Sequence, residues 1–154
     1  MLILVISDTH GNINNAIDTI EKLKPDYVLH LGDVIRDVED LEAIFPKMDI
    51  IAVSGNNDFW VSAKYSAAER LLDLGGKKIF MCHGHKYKVK YDYSALVHKA
   101  RTMGADIALF GHTHCAYKEM HDGILVVNPG SARTYATIEI DASGKITADI
   151  RKAE

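Results

Sequence analysis

Five of the eight histidines in this 154-residue chain stand two positions from another histidine or from an aspartate. They occur in Asp8-Thr9-His10, His83-Gly84-His85 and His112-Thr113-His114. Gly32-Asp33 and Gly55-Asn56-Asn57-Asp58 add further oxygen donors. In an extended segment, residues two apart point the same way, so Asp8 and His10 are expected to reach one common point. Nitrogen and oxygen donors without a thiolate suit Mn2+, Fe2+, Zn2+, Co2+ or Ni2+ and do not choose among them. Each cluster alone also has an ordinary meaning: Asp8 could cap a helix, and His10 could be a surface side chain. What unites the clusters is their position, because each follows a short apolar run.

Those runs read as strands. Leu2–Ile6 precedes the first cluster, 27–31 precedes Asp33, 49–53 precedes Asn56, 77–82 precedes His83, and 106–110 precedes His112. Between the first three lie helical patterns. One places Ile13, Ala16, Ile17, Ile20 and Leu23 on a face and ends at Pro25; the next places Val38, Leu41, Ile44 and Phe45 inward, with Asp37 as its expected N-cap and Pro46 as its stop. Strand, helix, strand, helix, strand predicts right-handed crossovers and a parallel sheet. A third helix carries Leu96, Val97, Ala100 and Met103 and stops at Gly104. Hairpins are expected at 69–74 and 77–82 around Gly75-Gly76, at 116–121 and 124–128 around Asp122-Gly123, and at 134–140 and 145–150 around Ser143-Gly144. Residues 59–66 read as a loop with a short turn. His30 reads as a packed core histidine, and His98 and His121 as surface residues. The lysines of 86–90 read as a solvated loop, with phosphate contact as the alternative.

Hydrophobic residues make up 47% of the chain, charged residues 25%, and the formal net charge is −3, the profile of a globular domain without the basic face of a general nucleic-acid binder. One domain spanning 1–154 is expected. Cys82 and Cys115 have no metal-knuckle spacing, which fits a reducing, cytoplasmic setting better than a disulfide scaffold. No basic segment precedes the first apolar run, and Asp8 cuts that run short, so neither a signal peptide nor a membrane span is expected.

In open α/β sheets, ligands bind beyond the carboxyl ends of strands, where these five clusters fall. The ordered set Asp8-Thr9-His10, Gly32-Asp33, Gly55-Asn56-Asn57-Asp58, His83-Gly84-His85 and Gly111-His112-Thr113-His114 resembles the calcineurin-like metallophosphoesterase superfamily. Asn128-Pro129-Gly130-Ser131 narrows the resemblance to its small bacterial and archaeal single-domain phosphodiesterases. The resemblance implies an α/β fold: two packed mixed β-sheets flanked by helices, a four-layer sandwich. It implies two divalent ions, Mn2+ foremost, one held by Asp8, His10, Asp33 and His114 and the other by Asp33, Asn56, His83 and His112. It further implies a phosphodiesterase that uses a hydroxide activated by the metal pair.

Four cationic charges against Asp8, Asp33 and a hydroxide leave the centre positive, which invites a small anionic ester but does not separate a diester from a monoester. The superfamily commonly has a proton-donating histidine where Asn57 stands, and asparagine does not titrate. His85 is the substitute candidate, either as proton donor or as a hydrogen-bonding partner of the substrate, and Asn57 is expected at the substrate. Arg133 is a further candidate for phosphate contact. A protein–protein scaffold on the same fold is the alternative reading, and self-association is compatible with both. A metallohydrolase of another class finds no support, since neither His-x-Glu nor His-Glu-x-x-His occurs.

Overall fold

The structure, a computed structural model, describes residues 1–59 and 61–153. Trp60, within the stretch expected to be a loop, lies outside the described residues; Ala63–Tyr65 nearby forms a single 3-10 turn. Chain order is β1 (Leu2–Ile6), α1 (Asn14–Leu23), β2 (Tyr27–His30), α2 (Ile35–Ile44), β3 (Asp49–Ala52), β4 (Glu69–Leu74), β5 (Lys77–Cys82), α3 (Ser94–Thr102), β6 (Ile107–Leu109), β7 (Tyr117–His121), β8 (Ile124–Asn128), β9 (Thr134–Ile140) and β10 (Ile146–Lys152).

Two five-stranded sheets result, in the orders β10-β9-β1-β2-β3 and β4-β5-β6-β8-β7. β1, β2 and β3 are parallel, as the alternation of strands and helices requires. The three expected hairpins pair antiparallel, and β9 returns antiparallel to β1, so the first sheet is mixed. In the second sheet β5, β6 and β8 run parallel.

Strand alternation explains the layers. Ile3 and Val5 of β1 face the second sheet, where they meet Ile79 and Met81 of β5 and Ile107 and Leu109 of β6. Their neighbours Leu4 and Ile6 face Ala16 and Ile20 of α1 and Val38 and Leu41 of α2. On the far side, Phe80, Cys82 and Ala108 pack against Leu96, Val97 and Ala100 of α3. Central strands are thus buried on both faces, which is why they read as continuous apolar runs rather than alternating ones. The order of layers is helices, sheet, sheet, helix.

Helix ends depart from expectation in two places. α2 begins at Ile35 after Val34, which has φ +66°, so Asp37 lies inside the first turn and is not the N-cap. Its carboxylate instead accepts from Thr9 and from the backbone of Gly11. Ile44, expected inward, ends the helix 47% exposed, because the chain turns away through Phe45. His98 is exposed as expected, whereas His121 is half-buried, 2.7 Å from the Tyr117 hydroxyl. No helix among the described residues is long and apolar enough to cross a membrane.

The inter-sheet layer should dominate stability. Leu29 is fully buried within it. Leu29→Ala should cost about 2–5 kcal/mol, whereas Ile44→Ala should stay within about 0.5 kcal/mol. Urea unfolding followed by circular dichroism measures both, and equal effects would contradict this assignment of the core.

Candidate metal centre

The loops after β1, β2, β3, β5 and β6 meet at one end of the sandwich, stitched together by their backbones. The Asp8 amide donates to Gly32 O at 3.1 Å, and the Gly111 amide to His83 O at 2.8 Å. The Asp58 carboxylate collects the amides of Asp33, Ile35 and Gly55 at 2.7–2.9 Å, tying the end of β3 under that of β2. Asn128 does the same for the last cluster: its amide donates to Gly111 O and to Thr113 Oγ1, each at 3.0 Å, while Gly130 donates to its Oδ1.

Within these loops Asp8, His10, Asp33, His112 and His114 all have left-handed backbones, with φ between +48° and +67°. Asp8 and His10 therefore converge through a tight turn beyond the strand, not by alternation along an extended segment. Such conformations cost on the order of 1–3 kcal/mol each for non-glycine residues and persist only where the surroundings hold them. Two glycines make the close approach possible. A Cβ on Gly111 would run into Ser7 and the Asp8 carboxylate, and one on Gly55 into the Asp33 side chain.

The converging atoms form one cluster. Asp8, His10, Asp33 and His114 each present a ligand atom within 4.8 Å of the others. His114 Nε2 stands 3.2 Å from Asp8 Oδ1, and His10 Nε2 stands 3.9 Å from Asp8 Oδ1 and 4.0 Å from Asp33 Oδ2. His83 Nε2 approaches from the second sheet, 3.5 Å from Asp33 Oδ1 and 3.8 Å from Asp8 Oδ1. The His112 ring lies beside it, centroids 5.0 Å apart. Asn56 is exposed on the turn after β3.

Donor chemistry fits a metal. Ser7 Oγ and the His112 amide both donate to Asp8 Oδ2, leaving Oδ1 buried without a hydrogen-bond partner. His83 Nδ1 lies 2.7 Å from Leu31 O, which can only accept, so this nitrogen carries the proton. In the neutral ring Nε2 then bears the lone pair, and it too is buried and unpartnered. A ring nitrogen fixed by a backbone carbonyl, with its other nitrogen aimed at buried carboxylates, is the pattern of a metal-binding histidine.

Electrostatics agree. Burial alone would raise the Asp33 carboxyl, but His83, two hydrogen bonds from Asn57 and His10 prevail and hold it below the usual carboxylate range. Burial pushes the His85 and His112 imidazoles down, with His83 adding to both, Lys86 to the former and Lys90 to the latter. Neutral imidazoles and ionised carboxylates are the forms that bind cations.

The remaining candidates take other places. Asn57 donates its backbone N–H to Asp33 Oδ1 at 3.1 Å and its side-chain amide to Oδ2 at 3.0 Å. His85 lies next to His83 and His112, ring centroids 5.5 and 6.1 Å away, and its Nδ1 is buried without a partner. Arg133 is exposed, its carbonyl accepting from Ala153. Two residues that matter to this geometry, Ser7 and Asp37, carry no functional sign in the sequence, whereas Asp58 and Asn128 lie within the motifs but without a role of their own there. Ser7 bonds the residue next to it and Asp58 bonds Gly55 within its own turn, whereas Thr9 and Gly11, the partners of Asp37, are distant from it in sequence.

Residues 1–146 match the calcineurin-like phosphoesterase superfamily domain. "Probable metallophosphoesterase YsnB" of Bacillus subtilis is 37% identical over 137 residues, covering 86% of this chain and 76% of that protein. "Phosphodiesterase MJ0936" of Methanocaldococcus jannaschii is 32% identical over 159 residues, covering 89% and 87%. Among solved structures, a predicted phosphoesterase from Streptococcus pneumoniae superposes with a TM-score of 0.82 at 29% identity, over 99% of this chain and 89% of that one. Vps29 of Entamoeba histolytica, in complex with zinc, superposes with a TM-score of 0.79 over the whole of both chains at 22% identity, a likeness of fold alone.

His30 supplies a pH test of the polar layer beneath the centre. Burial pulls its imidazole down to about 4, against the opposing pull of Asp37, Asp8 and Asp58. The unfolded chain, with a histidine pKa near 6.5, therefore takes up a proton that the folded chain refuses. Stability from this source is complete above about pH 6.5 and is lost as pH falls toward about 4, on the order of 3 kcal/mol in all. In a chelator, the difference in urea stability between wild type and His30→Gln should shrink by that order across this window. A constant difference would show that His30 titrates alike in both states.

Proposed function

We propose that this chain, which belongs to the calcineurin-like phosphoesterase superfamily, hydrolyses phosphodiester bonds using two divalent transition-metal ions, Mn2+ foremost. The observation that carries this reading is the convergence of two buried, unpartnered ligand atoms, Asp8 Oδ1 and His83 Nε2, among His10, Asp33 and His114. Asp8, His10, Asp33 and His114 would hold one ion. Asp33, Asn56, His83 and His112 would hold the other, with Asp33 shared. When bound, such a pair clamps the attacking and leaving oxygens of an in-line displacement and brings the pKa of a water toward neutrality.

The chain's own residues set the conditions for that chemistry. Only two carboxylates join the donor set, so the loaded centre keeps a positive balance that draws an anionic ester. The imidazoles of His83 and His112 add no negative charge. His85, whose ring neighbours those of His83 and His112, would donate a hydrogen bond or a proton to the leaving oxygen. Asn57 anchors Asp33 with both its N–H groups and offers no titrating group. Without an acid there, an ester with a good leaving group is favoured, and diester hydrolysis accords with the activity named for the M. jannaschii relative.

The decisive assay loads metal-free protein with Mn2+ and compares bis-nitrophenyl phosphate, nitrophenyl phosphate and a nitroanilide. Diester turnover should exceed that of the monoester, and the amide should be inert. Asp33→Asn should weaken both ions and cut turnover by at least about 100-fold, whereas His114→Ala should weaken mainly one ion. Faster monoester turnover would make the chain a phosphomonoesterase. No bound metal and no turnover of any ester would instead support a binding scaffold.

A further inference from the structure

Beneath the centre lies a second set of polar side chains, all buried and none facing the converging ligand atoms. Thr9 stands between Asp8 and His10, and His30 lies on β2 three residues before Asp33. His30 is fully buried, and Thr9 and Asp37 are each 3% exposed. Along β2, Val28 faces the helices while Leu29 and Leu31 face the second sheet, so His30 points to the helix side. There it meets Thr9 from the β1 loop, and Thr9 in turn meets Asp37 from α2.

The roles of donor and acceptor follow in one direction. The Gly32 amide donates to His30 Nδ1 at 3.1 Å, so that nitrogen bears no proton. The neutral ring then carries its proton on Nε2, which donates to Thr9 Oγ1 at 3.1 Å. The Thr9 hydroxyl is left to donate its own proton to Asp37 Oδ2 at 2.5 Å. The Gly11 amide donates to the same oxygen at 2.8 Å. One end of this series is the backbone just before Asp33, and the other holds the backbone just after His10.

We propose that His30, Thr9 and Asp37 form a positioning relay that locks the Asp8–His10 loop to the Gly32–Asp33 loop. None of the three would touch an ion. His30 holds the Gly32 amide and Asp37 the Gly11 amide, beside residues whose left-handed conformations would otherwise relax, and Thr9 joins the two. A histidine that merely filled space would be replaceable by an apolar side chain of similar volume. Here both ring nitrogens and the threonine hydroxyl have assigned partners, and replacing any one leaves another buried group unsatisfied.

The inference rests on the metal-ion reading for one of its two measurements only. In the first, Mn2+ is titrated calorimetrically into metal-free protein without substrate. His30→Leu and Thr9→Val should weaken both sites by about 10–100-fold, the usual effect of losing residues that orient ligands. Thr9→Ser, which keeps the hydroxyl, should restore affinity to within about threefold of wild type. In the second, amide hydrogen exchange is measured by NMR in a chelator. Thr9→Val should speed exchange at both Gly11 and Gly32 by at least about tenfold while leaving Val5 and Leu29 in the core protected. Should His30→Leu fail to fold, the threonine pair still decides. Wild-type Mn2+ affinity in Thr9→Val, or unchanged exchange at Gly11 and Gly32, overturns the relay. A wild type that binds no Mn2+ but shows the exchange pattern retains the relay and rejects the metal reading.

Discussion

Two carboxylates held within a few ångströms of each other and out of water repel, and a fold that places them so needs positive charge nearby. Among the described residues, the basic side chains within 4.0 Å of the Asp8 and Asp33 carboxylates are histidines, not lysine or arginine. Histidine is a weak answer at neutral pH unless it is protonated, and burial opposes protonation at His112 and His85. A cation shared among neutral imidazoles and ionised carboxylates removes the conflict. The rest of the site follows from that requirement. Asp8 Oδ2 is satisfied by Ser7 and His112 so that Oδ1 alone faces inward, and Leu31 fixes the proton of His83 so that Nε2 can do likewise.

Such a cluster draws on five loops and both sheets, so its precision is that of the sandwich. The continuous apolar core between the sheets fixes where β1 and β5 end relative to one another. The remaining adjustments are local: carboxylates of Asp58 and Asp37 gather loop amides, and small residues at Gly55 and Gly111 leave room for aspartate side chains to come close. The arrangement has two tiers. Residues facing the centre present lone pairs, and residues behind them hold backbone. The two are interleaved in sequence, so that Thr9 lies between two candidate ligands and belongs to the other tier.

This interleaving decides what could be read from the sequence. The strands, the three helices and the hairpins were legible because burial on one or two faces leaves a periodic trace. The donors themselves were legible because histidine and aspartate recur at ends of apolar runs. The path by which Asp8 and His10 converge was not: alternation along a strand predicts the same pairing of side chains as a left-handed turn, and only the backbone separates them. Asp37 was read as a cap because aspartate at a helix start is ordinarily one, whereas its partners, Thr9 and Gly11, lie far away in sequence. His30 was correctly read as buried, but burial carries no information about which nitrogen is protonated or what it holds.

Asn57 shows the same division at the edge of the centre. By the resemblance to the superfamily, it stands where a proton-donating histidine is common and cannot serve as one. In the structure its backbone and side-chain N–H groups both go to Asp33, one to each carboxylate oxygen. That contact lowers the Asp33 carboxyl by favouring its charged form, in the same direction as the pull of His83. A histidine here would have to give up at least the side-chain half of this support in order to reach toward a leaving group. Asparagine therefore trades a titrating group for a firmer hold on the one carboxylate that both proposed ions would share. His85 keeps a buried, unpartnered Nδ1, with its ring beside those of His83 and His112.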